Sequence, residues 1–233
     1  MFESYYESSA YGEWCRRVYG KDLKQLGCVT MNELEILYRE VNLSPDSHIL
    51  DIGCGTGHIS VEIATHYNSH LTGIDFDEGS ITYAKKTFLN NTAFEFIYGD
   101  GSKICFEPSS FDLICLCDSL HFAQTLEELY SVLDKYMVML KPDKNLVIFC
   151  NDYVIQQVLK WIINKCVPYP YKSFDLIETN KELWRNVFSE LITMSSELQR
   201  EIPDTYKRIK GECITKLNEN GWMPRKLFIF TKK

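Results

Sequence analysis

Apolar residues recur along this chain in two alternating rhythms. Ile49, Leu50 and Ile52 form a short continuous run, and Leu71-Thr-Gly-Ile-Asp75 forms another. Runs of this length and composition predict buried parallel strands. Between them the spacing changes: Val61, Ile63 and Ala64 follow one helical face, and Leu34, Leu37, Tyr38 and Val41 place a helix over residues 31–41, ahead of Leu43-Ser-Pro-Asp. Near the end, Thr205 to Asn218 predicts a helix, Gly221 a stop, and Lys226 to Thr231 a strand. Strands alternating with helices predict an α/β fold built on a doubly wound, mostly parallel sheet.

The junction after the first strand carries the chemistry. In Asp51-Ile52-Gly53-Cys54-Gly55-Thr56-Gly57-His58, three alternating glycines permit positive φ and close approach of a ligand to the main chain. The helix start that follows offers unpaired N–H groups. Asp75 ends the next strand near the ~20-residue offset at which a carboxylate meets a ribose hydroxyl. These features predict a nucleotide-cofactor loop. The dinucleotide fingerprint needs a third glycine where His58 stands, which weakens a nicotinamide or flavin reading, and no lysine between His48 and Lys85 completes a phosphate-binding P-loop.

The series resembles the class I S-adenosylmethionine-dependent methyltransferases, motif by motif from about residue 48 to 150. Leu50 to Gly57 is similar to their first motif. Phe94 to Ser102 is similar to the third-strand motif, Phe111 to Cys117 to the fourth strand, and Leu140 to Phe149 to the helix end, turn and fifth strand, with Asp143-Lys144-Asn145 in place of the usual turn glycines. The resemblance implies a Rossmann-like fold and S-adenosylmethionine as cofactor. It places the cofactor on Asp51, Gly53, Cys54, Gly55, Gly57, Asp75, Phe76, Asp100, Gly101, Ser102 and Cys117. Asp75 would meet the ribose, Phe76 the adenine ring and Asp100 the adenine amino group.

Composition narrows the setting. With 233 residues, 45% of them hydrophobic, the chain suits one α/β unit with elaborations. Its nine cysteines include no C-x-x-C pair and predict reduced core thiols in a cytoplasmic protein. Cys115 and Cys117 share a strand face but lack nearby histidine pairs, so no metal site is expected. A net charge of -7 and scattered lysines and arginines argue against a nucleic-acid partner, and no apolar stretch of membrane length or basic leader is present. Nothing in the sequence addresses oligomeric state.

Four segments follow: residues 1–46 as an N-terminal helical cover, 47–150 as the cofactor-binding core, 151–203 as a helical lid insertion after the fifth strand, and 204–233 as the last helix and closing strand. Tyr5, Tyr6, Tyr11, Trp14 and Tyr19 serve either as a cover over the cofactor or as an edge of the core. Tyr153, Trp161, Tyr169, Tyr171, Phe174, Trp184 and Phe188 either line an acceptor pocket or pack the insertion onto the sheet. A second closing strand is not evident. After the fourth strand, His121 stands at the carboxyl edge and reads either as a general base or as a backbone-bonding cap. The phosphoethanolamine methyltransferases, which the chain resembles distantly, carry a histidine here and a tyrosine on the leading helix, which pairs His121 with Tyr19 as catalytic candidates. The expected activity is methyl transfer to a small molecule at nitrogen or oxygen. A tRNA or rRNA methyltransferase and a catalytically inactive S-adenosylmethionine-binding protein are the alternatives.

Overall fold

The computed structural model describes residues 5–120, 125–164, 169–218 and 224–233, with only the backbone of 217 and 218. After a single turn at Tyr5–Glu7 come α1 (Ser9–Tyr19), α2 (Met31–Glu40), β1 (His48–Ile52), α3 (His58–Tyr67), β2 (His70–Asp75), α4 (Glu78–Thr87) and β3 (Phe94–Tyr98). The second half holds β4 (Phe111–Cys117), α5 (Leu126–Met139), β5 (Leu140–Asn151), α6 (Asp152–Asn164), β6 (Tyr171–Asp175), α7 (Ile177–Thr193), α8 (Ser195–Glu201), α9 (Pro203–Asn218) and β7 (Arg225–Thr231). Helix starts follow local chemistry. Ser8, Thr30, Asp77 and Thr125 each accept a backbone N–H from the first turn of α1, α2, α4 and α5.

The sheet runs in the order β3-β2-β1-β4-β5-β7-β6. The first five strands are parallel, and β7 lies antiparallel between β5 and β6. Strand order reverses between β1 and β4, and in open α/β sheets such a switch point opens a crevice at the carboxyl ends of the strands. Each face has its own core: Leu34 and Leu37 of α2, Ile63 of α3 and Ile81 of α4 cover one, while Leu133 and Tyr136 of α5 and Trp161 of α6 cover the other.

A third core lies outside both. Tyr11, Trp14, Val18 and Tyr19 of α1 pack with Leu183, Val187 and Leu191 of α7, Leu198 of α8 and Ile209 of α9. The N-terminal aromatic segment therefore joins the helices that precede β7 in one cap.

The stretch expected as a helical lid insertion over 151–203 opens with α6 directly after β5 and contains strand β6 ahead of α7 and α8. Four of the five residues of β6 are exposed, leaving no apolar run to announce an edge strand that β7 pairs on one side only. Trp161 and Tyr169 pack on the sheet face with α5 and α6, Phe174 packs on the opposite face, and Tyr153 is exposed. Of the seven aromatics singled out in the stretch, Trp184 packs against the cap core and lines a cavity there. Among the described residues, no helix is long and apolar enough to cross a membrane.

Candidate active site

At the carboxyl end of β1 the chain turns through Gly53, Gly55 and Gly57 with φ of +79°, +54° and +80°. The Gly53 and Cys54 amides donate to the Ile74 carbonyl at 2.8 and 3.0 Å, tying the loop to β2. Two of the glycines are required by close packing: a Cβ on Gly53 would collide with Ser119, and one on Gly57 would stand 2.5 Å from the Phe96 ring. Gly55 differs. Among the described residues, and apart from its own chain neighbours, no atom lies within 4 Å of the position its Cβ would occupy.

Asp75 sits at the end of β2, 9% exposed, and links the strand end to the loop. One carboxylate oxygen accepts the Gly55 amide at 2.7 Å and the other the Asp77 amide at 2.8 Å. Each oxygen retains acceptor capacity for a further donor. The next residue, Phe76, is 69% exposed, an uncovered aromatic face beside a buried acid. At the end of β3 the Asp100 carboxyl is held down at about 2 by the Lys103 ammonium and the Ser102 hydroxyl, so it is a permanent acceptor there. Gly101 packs so closely on Ile52 that a Cβ would come within 2.5 Å of its methyl group, and its carbonyl accepts the Tyr136 hydroxyl at 3.0 Å.

Beneath the loop lies Asp51, 1% exposed. One of its oxygens accepts the Ser60 hydroxyl, and the other is buried without a partner among the described residues. Burial, against the Ser60 hydrogen bond and helped by the Asp75 charge, pushes the Asp51 carboxyl up to about 7. The Ser119 hydroxyl, packed against Gly53, is likewise buried and unpartnered there. The Cys54 thiol packs under the loop against Gly73, and burial keeps the thiols of Cys54 and Cys117 protonated. Cys117 is half-buried at the end of β4. Nine of the expected cofactor residues, Asp51, Gly53, Cys54, Gly55, Gly57, Asp75, Asp100, Gly101 and Ser102, thus bond or turn at neighbouring strand ends.

A cover loop over residues 20–30 crosses this edge. The Thr56 hydroxyl donates to the Lys24 carbonyl at 3.1 Å, and the Tyr11 and Tyr19 hydroxyls donate to the Gln25 and Gly27 carbonyls. Tyr19 is therefore engaged as a donor, and burial raises its pKa well above that of a free phenol, so it holds the cover loop as a neutral group. His121, its expected partner, lies outside the described residues. Between cap and cover loop a narrow cavity of about 20 Å³ is lined by Trp14, Tyr19, Gly27, Trp184, Arg208 and Glu212, and it adjoins an open cleft of about 590 Å³ along α9. The Trp14 indole N–H is buried at the first of these without a partner among the described residues.

One cluster escaped sequence reasoning. Arg225, fully buried at the start of β7, donates both Nε and Nη2 to the Glu33 carboxylate at 2.9 Å and bonds Asp118 through both Nη1 and Nη2. Glu33 lies on α2, nearly 200 positions away along the chain, and no local spacing signals such a pairing.

The comparisons with known proteins agree with this geometry. A family model described as a methyltransferase domain matches residues 49–143. A sterol 24-C-methyltransferase of Gibberella zeae is 29% identical over 133 residues, 55% of this chain and 33% of that protein. The putative methyltransferase YqeM of Bacillus subtilis is 30% identical over 105 residues, 45% of this chain and 42% of that protein. The chain thus aligns with less than half the length of these relatives. In fold, a phosphoethanolamine N-methyltransferase 2 of Haemonchus contortus superposes with a TM-score of 0.73 at 16% identity, over 100% of this chain and 60% of that one. The glycine loop, the acids at successive strand ends and the matched segment agree: residues 49–143 match a methyltransferase domain, on a fold similar to that of a known S-adenosylmethionine-dependent methyltransferase.

Proposed function

We propose that this protein transfers the methyl group of S-adenosylmethionine to a nitrogen or oxygen of a small polar molecule held beneath the helical cap. The observation that carries the proposal is the open space above Gly55, on a loop whose amide is fixed by Asp75 at the switch point of the sheet. When bound, S-adenosylmethionine supplies a methyl group activated by a sulfonium. The residues present fit it: Asp75 for the ribose hydroxyls, the bare Phe76 face and Asp100 for the adenine, Gly101 and Ser102 for backbone contact, and the unpartnered Asp51 oxygen for the ammonium of the amino-acid part.

The chain's own contribution to the reaction is alignment and exclusion of water. Orientation of reactants supplies ~7 to 11 kcal/mol in well-aligned reactions, more than the ~10²- to 10⁴-fold of a general base. Tyr19, held neutral on the Gly27 carbonyl, supports the cover loop and is not a base in this arrangement. His121 remains the proposed proton acceptor where the acceptor atom must lose one. Arg208 and Glu212, which the open cleft along α9 shares with the mixed aromatic and aliphatic wall beside it, suit an acceptor bearing heteroatoms better than a hydrocarbon. Incubation of the protein with methyl-labelled S-adenosylmethionine and a small-metabolite extract should label a product of low mass. Label found in RNA would overturn this reading in favour of an RNA methyltransferase. Binding without any labelled product would favour an inactive binding protein.

The raised Asp51 carboxyl makes cofactor affinity pH-dependent with a defined sign. Below about 7 Asp51 is protonated, and an ammonium beside it favours the ionised form, so binding releases a proton there. Affinity is expected to rise about tenfold between pH 6 and pH 8, measured by calorimetry in buffers of different ionisation enthalpy, and Asp51→Asn should flatten the profile. Without ligand the sign of the stability change is opposite. The unfolded carboxyl ionises from 3.8 while the folded one stays protonated to about 7, so stability falls across that window as pH rises.

A further inference from the structure

We propose that Arg225 is a positioning residue: shared between Glu33 and Asp118, its guanidinium holds the turn after β4 and the cover loop in register with the glycine loop. The cluster joins six segments of the chain: β7, β5, α2, α7, the turn after β4 and the cover loop. Arg225 opens β7 opposite Asn151 at the end of β5 and bonds the Asn151 side chain at 3.3 Å. Glu33 lies on α2 and also accepts the Thr179 hydroxyl of α7 at 3.2 Å. Asp118 follows β4 in the left-handed region, at φ +58°. Its carboxylate accepts the Cys28 amide of the cover loop at 2.9 Å, and its own amide donates to the Phe149 carbonyl at 3.1 Å.

Arg225 and Glu33 are both 0% exposed and Asp118 is 12% exposed at its side chain, so the charges are out of water. Burial alone would lower the Arg225 pKa, and the Asp118 and Glu33 carboxylates overcome it and hold the guanidinium charged. A buried ion pair stabilises a fold no better than apolar packing of similar volume, so its worth here is taken to be geometric. A planar fork that meets one carboxylate bidentately fixes its orientation, which a lysine does not. What it orients borders the reaction. The residue after Asp118 is Ser119, packed on Gly53, and the residue before Cys28 is Gly27, in the wall of the cap cavity. The effect on catalysis rests on the methyltransferase reading, and the placement of the two loops does not.

The test uses full-length Arg225→Lys and the isosteric Asp118→Asn, which keeps the side-chain shape should the arginine variant fold poorly. Hydrogen exchange over residues 24–30 should quicken at least tenfold in both, while α5 exchanges as in the parent. Label transfer at saturating S-adenosylmethionine should fall at least tenfold per folded molecule, with the cofactor Kd changed less than threefold, because the Asp75 and Asp51 contacts are untouched. Unaltered exchange over 24–30 in Asp118→Asn overturns the proposal. So does faster exchange spread evenly over the chain with undiminished transfer, since that marks a purely structural role. If the parent itself transfers no label, the functional reading falls, and the exchange measurement alone decides whether the clamp positions these loops.

Discussion

Gly55→Val is expected to leave the fold intact and weaken S-adenosylmethionine binding more than 100-fold. The backbone there has φ +54°, where an L side chain costs ~1–2 kcal/mol, a loss that a domain with ~5–15 kcal/mol of stability survives. Among the described residues, none outside its chain neighbours lies within 4 Å of the new Cβ to oppose the side chain. The branched methyls instead project into the space proposed for the cofactor. If the loop relaxes to relieve the strain, the Gly55 amide leaves Asp75, and a hydrogen bond to a charged group is worth ~1.5–3 kcal/mol. The lost bond alone corresponds to roughly 10- to 150-fold in Kd, and where the loop keeps its course the methyl groups block the site outright. Calorimetric titration beside a circular-dichroism melt checks both halves. Unaltered affinity in a folded variant would remove the loop from the binding site.

Asp75→Ala acts on the same site from the opposite side. The substitution deletes the acceptor for the ribose hydroxyls and also releases the amides of Gly55 and Asp77. A lost charged hydrogen bond of ~1.5–3 kcal/mol predicts a Kd raised about 10- to 150-fold. Asp75→Asn keeps one acceptor oxygen and should fall between parent and alanine variant. Equal dissociation constants for parent and Asp75→Ala would show that this acid only braces the loop.

How much of this was legible in the sequence depends on how local each signal is. The strands β1, β2, β4 and the end of β5 announce themselves because both faces of a parallel strand are buried, leaving runs such as Leu113-Ile-Cys-Leu116. The glycine loop and Asp75 are legible for the same reason, since spacing along one βαβ unit fixes them in space. β6 is not, because an exposed edge strand needs no apolar run and Tyr171-Lys-Ser-Phe-Asp175 has none. The two readings of the N-terminal aromatics resolve into a third arrangement, in which Tyr11 and Trp14 build a cap core with α7, α8 and α9. Nothing in the spacing around Arg225 sets it apart from other basic residues. Its meaning comes from Glu33 and Asp118, which only the folded chain brings to it.

The central claim is that the backbone at Gly55 and the carboxylate of Asp75 together seat a sulfonium nucleoside. Titration of the purified, folded chain with S-adenosylmethionine and with S-adenosylhomocysteine in a calorimeter tests it most directly. One saturable site for each ligand, abolished in Gly55→Val, is the predicted result. Absence of heat and of any thermal shift with both ligands at millimolar concentration, in protein shown to be folded, would contradict it.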